Sequence, residues 1–239
     1  MKKFLVIGNP IEHSLSPKLQ NYWIKKNNLP AIYGKLETHE NDLEELCSNL
    51  RDGKLDGLNV TVPFKQKIIE HLDVLSGHAL RTKSVNTVSV QDGNLIGHNT
   101  DIDGFEISMK KLNYDVADKS IMILGAGGVV PSIVYALKIM KASKIYLSNR
   151  TKEKAVKLKN SFNDITIIDW GKLTDFDMII NATSLGLKEN DEFGLDFSKA
   201  GKNKLFYDVI YNPHKNEFSK AGNIQGNIFA VSYTHLTLP

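Results

Sequence analysis

The stretch that most restricts the fold is 119–150. Lys119-Ser120-Ile121-Met122-Ile123-Leu124 reads as a buried strand and runs into Gly125-Ala126-Gly127-Gly128-Val129-Val130-Pro131. A helix follows to about Met140, and Lys144-Ile145-Tyr146-Leu147-Ser148-Asn149-Arg150 reads as the next strand. Strand, glycine turn, helix and strand in this order make the dinucleotide-binding arrangement. The glycines let the backbone approach a pyrophosphate, and the helix N-terminus turns N–H groups and the positive end of its dipole toward it. A glycine turn alone is a weak signal; in this setting it is a strong one. The third glycine slot holds Val130, so the helix is expected to pack on the strand slightly differently from the fingerprint.

The end of the second strand bears on the choice of dinucleotide. NAD-binding folds place an acid about 20 residues past the loop, where it bonds the ribose hydroxyls. This chain has Asn149-Arg150-Thr151-Lys152 there. An acid repels a 2′-phosphate, whereas a guanidinium and a hydroxyl attract one. NADP is therefore favoured over NAD, against the plainer reading of Arg150 as a solvated strand-end residue.

The N-terminal half also alternates strand and helix. Phe4 to Ile7 is a short strand broken by Gly8-Asn9-Pro10. Ser14 and Ser16 stand ahead of a helix from about Pro17 to Lys26, where Pro suits the first turn. Locally Ser16 reads as an N-cap; the functional reading is a pair of hydroxyls and helix N–H groups facing a carboxylate. Strands are expected over 31–36, 55–62 and 85–88, and helices over 41–50, 64–72 and on to Ser84. In Asn59-Val60-Thr61-Val62-Pro63-Phe64-Lys65-Gln66-Lys67 the alternation is that of a half-buried strand, and Pro63, lacking an N–H, ends its ladder. Asn59, Thr61 and Lys65 then fall on the rim where strand gives way to helix. Taken alone, the stretch reads as a βα turn with an exposed lysine. Asn86 and Asp101 also stand at strand ends, however, and open α/β sheets bind ligands at that edge. Each has a plainer use: Asn86 could satisfy a turn, and Asp101 could cap a helix beginning near Asp103. The second half adds a helix over 152–162 and strands over 165–168, 178–184 and 205–213. The pattern predicts a mainly parallel sheet covered on both faces.

Composition removes several other classes. The 30 basic and 27 acidic residues leave a net charge of +3, too mild for nucleic acid or a membrane surface. Cys47 is alone, so neither an internal disulfide nor a cysteine zinc site can form. Asn99, Asp101 and Asp103 resemble the start of a calcium loop, but Lys110 stands at its twelfth position, so no metal is expected. The apolar run after Met1-Lys2-Lys3 stops at Gly8, too short for a signal peptide. A cytoplasmic place is expected.

With these pieces in view the chain resembles the shikimate dehydrogenase family from residue 4 to about 229. The resemblance rests on Gly8-Asn9-Pro10 with Ser14-Leu15-Ser16-Pro17, Asn59-Val60-Thr61-Val62-Pro63-Phe64-Lys65 and Val85-Asn86-Thr87. It also rests on Gly97-x-Asn99-Thr100-Asp101-x-Asp103-Gly104, Gly125-Ala126-Gly127-Gly128, Asn149-Arg150-Thr151, Asn181-Ala182-Thr183-Ser184 and Asp208-x-x-Tyr211-Asn212-Pro213. It implies two α/β domains, a mainly parallel substrate domain over 1–101 and a Rossmann-type NADP domain over 102–229, with the active site in the cleft between them. It implies reversible reduction of 3-dehydroshikimate to shikimate with NADPH, in aromatic amino acid biosynthesis. Ser14 and Ser16 would hold the substrate carboxylate, and Asn59, Thr61, Asn86 and Asp101 the ring oxygens. Tyr211 would contact substrate, and Lys65 with Asp101 would form the catalytic pair. Gly125, Ala126, Gly127, Gly128, Val129, Asn149, Arg150, Thr151, Lys152, Lys154, Thr183 and Val209 would hold the cofactor, with Val209 by the nicotinamide. The partner implied is the small-molecule substrate, bound by a monomer or homodimer. Two alternatives stay open: an NAD-dependent quinate/shikimate dehydrogenase, and a non-catalytic metabolite-binding relative.

The chain departs from the family near its end. The family continues into a Gly-x-Gly-Met turn and a closing helix that carries a substrate-binding Gln. Here 230–239 reads as an atypical tail in place of that helix, with the look of an out-of-frame or appended segment. Its expected consequences are exposed apolar surface on the first domain and one missing substrate bond.

Overall fold

The computed structural model describes residues 1–188, 191–210, 216–224 and 226–231. The chain divides into two compact units, one from Met1 to Ile102 and one beginning at Asp103. Each carries its own six-stranded sheet.

The first unit opens with β1 (Lys2–Gly8), α1 (Ser16–Lys26), β2 (Ala31–Glu37), α2 (Leu43–Arg51) and β3 (Gly57–Val60). It continues through β4 (Val74–Leu75), α3 (Gly77–Thr82), β5 (Thr87–Gln91) and β6 (Asn94–His98). The sheet order is β2-β1-β3-β5-β6-β4. β1 runs parallel to β2 and β3, and β4 to β6, while β5 is antiparallel to both neighbours. β6 runs back along β5 through Asp92-Gly93, both at positive φ (51° and 80°), which form the two-residue turn between them. α2 places Leu43, Leu46, Cys47 and Leu50 on one buried face, at helical spacing. They pack with Ile7, Leu58, Val60, Phe64 and Ile68. Truncating a side chain such as Ile68 to Ala in this core costs about 2–5 kcal/mol.

Between β3 and β5 the structure departs from the expected long helix. Residues 64–72 form only a short 3-10 turn at Lys67–His71, and 72–84 hold β4 and α3 rather than one helix. Tertiary bonds override the helical spacing. The Asp73 carboxylate accepts the Leu95 N–H at 2.7 Å and pairs with Arg51 at 2.6 Å, which ties this chain to β6 and α2. Ser76 then caps α3 by accepting the Ala79 N–H. Two local readings are also corrected. Ser16 is the first residue of α1 rather than its cap, and Leu15 occupies the cap position with no side-chain bond. Asp101 begins α4 (Asp101–Lys111) itself, so it does not cap a helix starting at Asp103.

The second unit contains the rest of α4, then β7 (Ser120–Leu124), α5 (Val130–Ile139), β8 (Lys144–Ser148), α6 (Lys152–Ser161) and β9 (Ile165–Ile167). β10 (Met178–Asn181), β11 (Leu205–Asp208), α7 (Glu217–Gly222) and β12 (Ile228–Val231) complete it. All its pairings are parallel, in the order β12-β11-β10-β7-β8-β9. The chain starts in the middle, winds outward to β9 and returns to the other side of β7, so the switch in direction lies between β7 and β10. Phe176, Phe193, Phe197, Phe206 and Phe218 pack together on one face of the sheet. Ala230 and Val231 pair with Tyr207 and Asp208, so the sheet extends two residues into the segment read as a tail. Residues 232–239, like Tyr211, lie outside the described residues. Among the described residues no helix is long and apolar enough to cross a membrane.

Candidate active site

The first unit carries a connected polar cluster at the ends of its central strands. Lys65, which the local sequence placed in solvent, is buried, with 3% of its side chain exposed. It follows the turn closed by the Phe64 N–H on the Thr61 carbonyl, and its own carbonyl accepts the Val85 N–H at 2.8 Å. These bonds turn it inward, where Nζ donates to Asp101 Oδ2 at 2.7 Å. Asn86 Nδ2 donates to the other oxygen, Asp101 Oδ1, at 2.9 Å and to Thr100 Oγ1 at 2.9 Å. The Asp101 N–H is held by Asn99 Oδ1 at 3.0 Å. Both oxygens of the carboxylate are thus engaged, which is the condition for a buried ion pair to be tolerated.

The cluster extends across the sheet. Asn86 Oδ1 accepts from the Thr100 N–H at 3.1 Å and the Thr87 hydroxyl at 3.0 Å. Asn59 Nδ2 donates to Thr87 Oγ1 at 2.9 Å and to the Asn86 carbonyl at 3.1 Å. Asn59 Oδ1 accepts the Tyr33 hydroxyl at 2.6 Å, and burial pushes that phenol far above its ordinary range. Tyr33, Asn59, Thr87, Asn86, Asp101 and Lys65 therefore form one bonded chain. Thr87, Asn99 and Thr100 stood inside the sequence motifs without a role. Tyr33 gave no sequence signal, because its partner Asn59 is brought to it only through β1.

Thr61 lies beside this cluster where it meets the end of β1, and the serines follow β1 in the chain. The Thr61 N–H donates to the Ile7 carbonyl and the Asn9 N–H to the Val62 carbonyl. A Cβ on Gly8 would lie 2.6 Å from Thr61 Cγ2, so only glycine lets the two strand ends approach this closely. The chain leaving Gly8 leads to Ser14, whose Oγ accepts the Ser16 N–H at 3.3 Å. Both serines are half-buried.

In the second unit the glycine turn leaves β7 at the switch point. Gly125 has φ +104°, and a Cβ there would lie 2.6 Å from the Ala182 carbonyl oxygen. The Gly125 N–H donates to the Ser148 carbonyl at 2.8 Å and the Ala182 N–H to the Leu124 carbonyl at 2.8 Å, which draws three strand ends together. Gly127 is different: it is exposed, and a Cβ on it would meet nothing nearer than 3.8 Å. Ala126, Gly128 and Val129 lead into α5, and Val130, in the third glycine slot, is fully buried.

At the end of β8 the Asn149 side chain donates to the Thr151 carbonyl at 2.7 Å, and Thr151 precedes α6. Arg150 and Lys154 are exposed there, and Lys152 pairs with Asp169 at 3.2 Å. That pairing holds the Asp169 carboxyl below its ordinary range. On the other side of β7, the Thr183 N–H and hydroxyl both donate to Asn181 Oδ1, and the Val209 N–H donates to the Asn181 carbonyl at 2.9 Å. A dinucleotide fits this set. The open backbone at Gly127 stands where α5 begins, and the positive side chains around the start of α6 suit a phosphate.

Strand order, glycine turn and basic strand end define a Rossmann-type dinucleotide-binding unit, joined in one chain to an α/β unit with a buried lysine–carboxylate pair. Residues 6–88 match the model of the shikimate dehydrogenase substrate binding domain, and 106–188 that of shikimate / quinate 5-dehydrogenase. The shikimate dehydrogenase (NADP(+)) of Pelagibacter ubique is 55% identical over 227 residues, spanning 95% of this chain and 86% of that protein. The crystal structure of shikimate dehydrogenase from Aquifex aeolicus superposes with a TM-score of 0.89 at 35% identity, covering 99% of this chain and 88% of that one. The Thermus thermophilus shikimate 5-dehydrogenase, in complex with NADP(H) and shikimate, gives 0.87 at 28% identity over 96% and 86%. The chain belongs to the shikimate dehydrogenase family.

Proposed function

We propose that this chain catalyses the NADP-dependent, reversible reduction of 3-dehydroshikimate to shikimate, with Lys65 as general acid and base. The observation that carries the reading is the buried Lys65–Asp101 pair at 2.7 Å within a connected polar cluster. Bound NADPH supplies the hydride. Lys65 Nζ then stabilises the negative charge that develops on the ketone oxygen and passes it a proton. In the opposite direction the neutral amine takes the proton of the alcohol. Asp101 Oδ2 orients Nζ, and Asn86 fixes the carboxylate through Oδ1.

Ser14 and Ser16 hold the substrate carboxylate in this reading, while Asn59, Thr61, Asn86 and Asp101 bond its ring oxygens and Tyr211 contacts it. Asn59 already donates both amide hydrogens within the protein, so it meets substrate through its remaining lone pair, and Asn86, whose amide is fully engaged, bonds substrate only in exchange for its bonds to Thr100. Gly125 to Val129 receive the pyrophosphate; Asn149, Arg150, Thr151, Lys152 and Lys154 the 2′-phosphate; Thr183 and Val209 the nicotinamide end. The enzyme works in the cytoplasm as a monomer or homodimer, with domains over 1–101 and 102–229.

The test is shikimate-dependent reduction of NADP. Lys65→Ala should lower turnover by about 10²- to 10⁴-fold, the range of a lost general acid–base group, with NADP binding near that of the parent. Unchanged turnover would remove Lys65 from its assigned role. A faster rate with quinate and NAD than with shikimate and NADP would overturn the substrate and cofactor assignment.

A further inference from the structure

Asp208 ends β11 and is fully buried. Its Oδ1 accepts from Asn181 Nδ2 at 2.9 Å and from the Ile210 N–H at 2.9 Å. Its Oδ2 accepts from Asn216 Nδ2 at 3.1 Å. All three donors are neutral, and burial pushes the carboxyl up to about 6. One side chain thereby ties the end of β10, the chain leaving β11 and the start of α7.

The bonds continue from Asn181 into the next turn. Its second amide hydrogen reaches the Leu185 carbonyl at 3.0 Å, and its Oδ1 holds Thr183 through both N–H and hydroxyl. Thr183 Oγ1 in turn accepts the Leu185 N–H at 2.9 Å. Gly186 closes the turn at φ +103°, where a Cβ would lie 2.6 Å from Asn216 Nδ2. The same turn presents the Ala182 carbonyl that leaves no room for a Cβ on Gly125. Any shift at Asp208 is therefore passed, through close-packed backbone, to the glycine turn after β7.

We propose that Asp208 is a positioning residue for the dinucleotide: it holds the 182–186 turn against the glycine turn, so that Thr183, Val209 and Gly125 to Gly127 keep the relative placement a bound cofactor needs. The inference rests on the NADP-dependent reading above and gives a task to a side chain with no surface of its own to offer a ligand.

The experiment compares Asp208→Asn, Asn216→Asp and the double variant Asp208→Asn/Asn216→Asp in the full chain. The readouts are the NADP dissociation constant by calorimetry, Tm, kcat and the KM for shikimate. Asp208→Asn keeps an oxygen for Asn181 and the Ile210 N–H but sets its amide against that of Asn216, and should weaken NADP by about tenfold, the worth of a buried hydrogen bond to a charged group. The KM for shikimate should change less than the NADP constant, since Asn59, Asn86 and Asp101 are held by bonds within the first unit. The double variant exchanges donor and acceptor across the 208–216 pair, keeps an oxygen for Asn181 Nδ2 and the Ile210 N–H and another for the Ser219 N–H, and should recover NADP binding to within about threefold of the parent. A lower Tm with NADP binding unchanged would make Asp208 merely structural and overturn the proposal, as would a double variant no tighter than the singles. Should Asp208→Asn fail to fold, Asn216→Asp decides. It keeps the α7 cap on the Ser219 N–H but faces Asp208 with an acceptor, so unaltered NADP binding there overturns the proposal. A parent chain that binds no NADP would instead overturn the functional reading, and this inference with it.

Discussion

Replacing Lys65 by Met separates the structural and chemical work of the buried pair. Methionine keeps most of the side-chain volume but leaves the Asp101 carboxylate, itself fully buried, without its cation. Removing one partner of a buried pair costs about 3–5 kcal/mol, because the desolvated charge is left uncompensated. Each kcal/mol lowers Tm by about 2–4 °C in a chain of this size, so the expected loss is about 6–20 °C. Adding Asp101→Asn removes the stranded charge while keeping an oxygen for Asn86 Nδ2 to bond at its present 2.9 Å. The double variant should therefore be more stable than Lys65→Met alone, with a coupling of about 1–3 kcal/mol. Activity should not follow stability, and both variants should lose about 10²-fold or more in kcat. Urea unfolding of the four proteins gives the thermodynamic cycle, and shikimate-dependent NADP reduction gives the rates. Additive stabilities, or a Lys65→Met variant as stable as the parent, would refute the account of Lys65 and Asp101 as a compensated buried pair.

Gly125→Ala should destabilise by about 1–3 kcal/mol or more, since φ +104° strains any L side chain and its Cβ would strike the Ala182 carbonyl. Gly127→Ala should leave Tm within about 2 °C, an effect under 1 kcal/mol, yet raise the KM for NADP, because the open space it fills is where a pyrophosphate would lie; an unaltered KM refutes that placement. Arg150→Ala should raise the KM for NADP by about 10- to 100-fold, the worth of a charge-assisted hydrogen bond, and leave that for NAD nearly unchanged; equal losses would show that Arg150 does not read the 2′-phosphate. For Asp208 the folded carboxyl lies at about 6, above its ordinary 3.8, so the folded state binds its proton more tightly than the unfolded state does. Its contribution is then most favourable below pH 4 and declines as pH rises through 4–6, by about 3 kcal/mol in all at 1.36 kcal/mol per unit. Urea titrations from pH 4 to 7.5 should show this decline in the parent relative to Asp208→Asn; parallel profiles would refute it.

The second unit was largely legible in its residues. β7, the glycine turn, α5 and β8 follow from apolar runs and glycine placement, which are local signals. The stretch from Phe64 to Ser84 misleads for a physical reason. Phe64, Ile68, Ile69 and Leu72 have helical spacing, yet they reach the first core from a tight 3-10 turn and the chain on either side of it. What decides the path is Asp73 bonding to Leu95 and Arg51, residues 22 positions away in either direction. Lys65 shows the same limit. Its side chain type and place at a strand end were readable, but its burial depends on Asp101, 36 residues on. Tyr33 belongs to the cluster only through strand neighbours that a one-dimensional reading does not join.

The saturation of Asn86 bears on how this pocket could be re-engineered. Its amide donates to Thr100 and Asp101 and accepts from the Thr100 N–H and Thr87. A change of side chain there disturbs four hydrogen bonds to three neighbours at once, one of them the carboxylate that aims Lys65. Single-residue libraries aimed at new substrates should therefore return mostly inactive proteins at this position, whereas libraries that vary Asn86 with Thr87 and Thr100 together can find a second self-consistent set. Substrate range in such a pocket is expected to move in jumps, because its hydrogen bonds are shared among residues and cannot be traded one at a time.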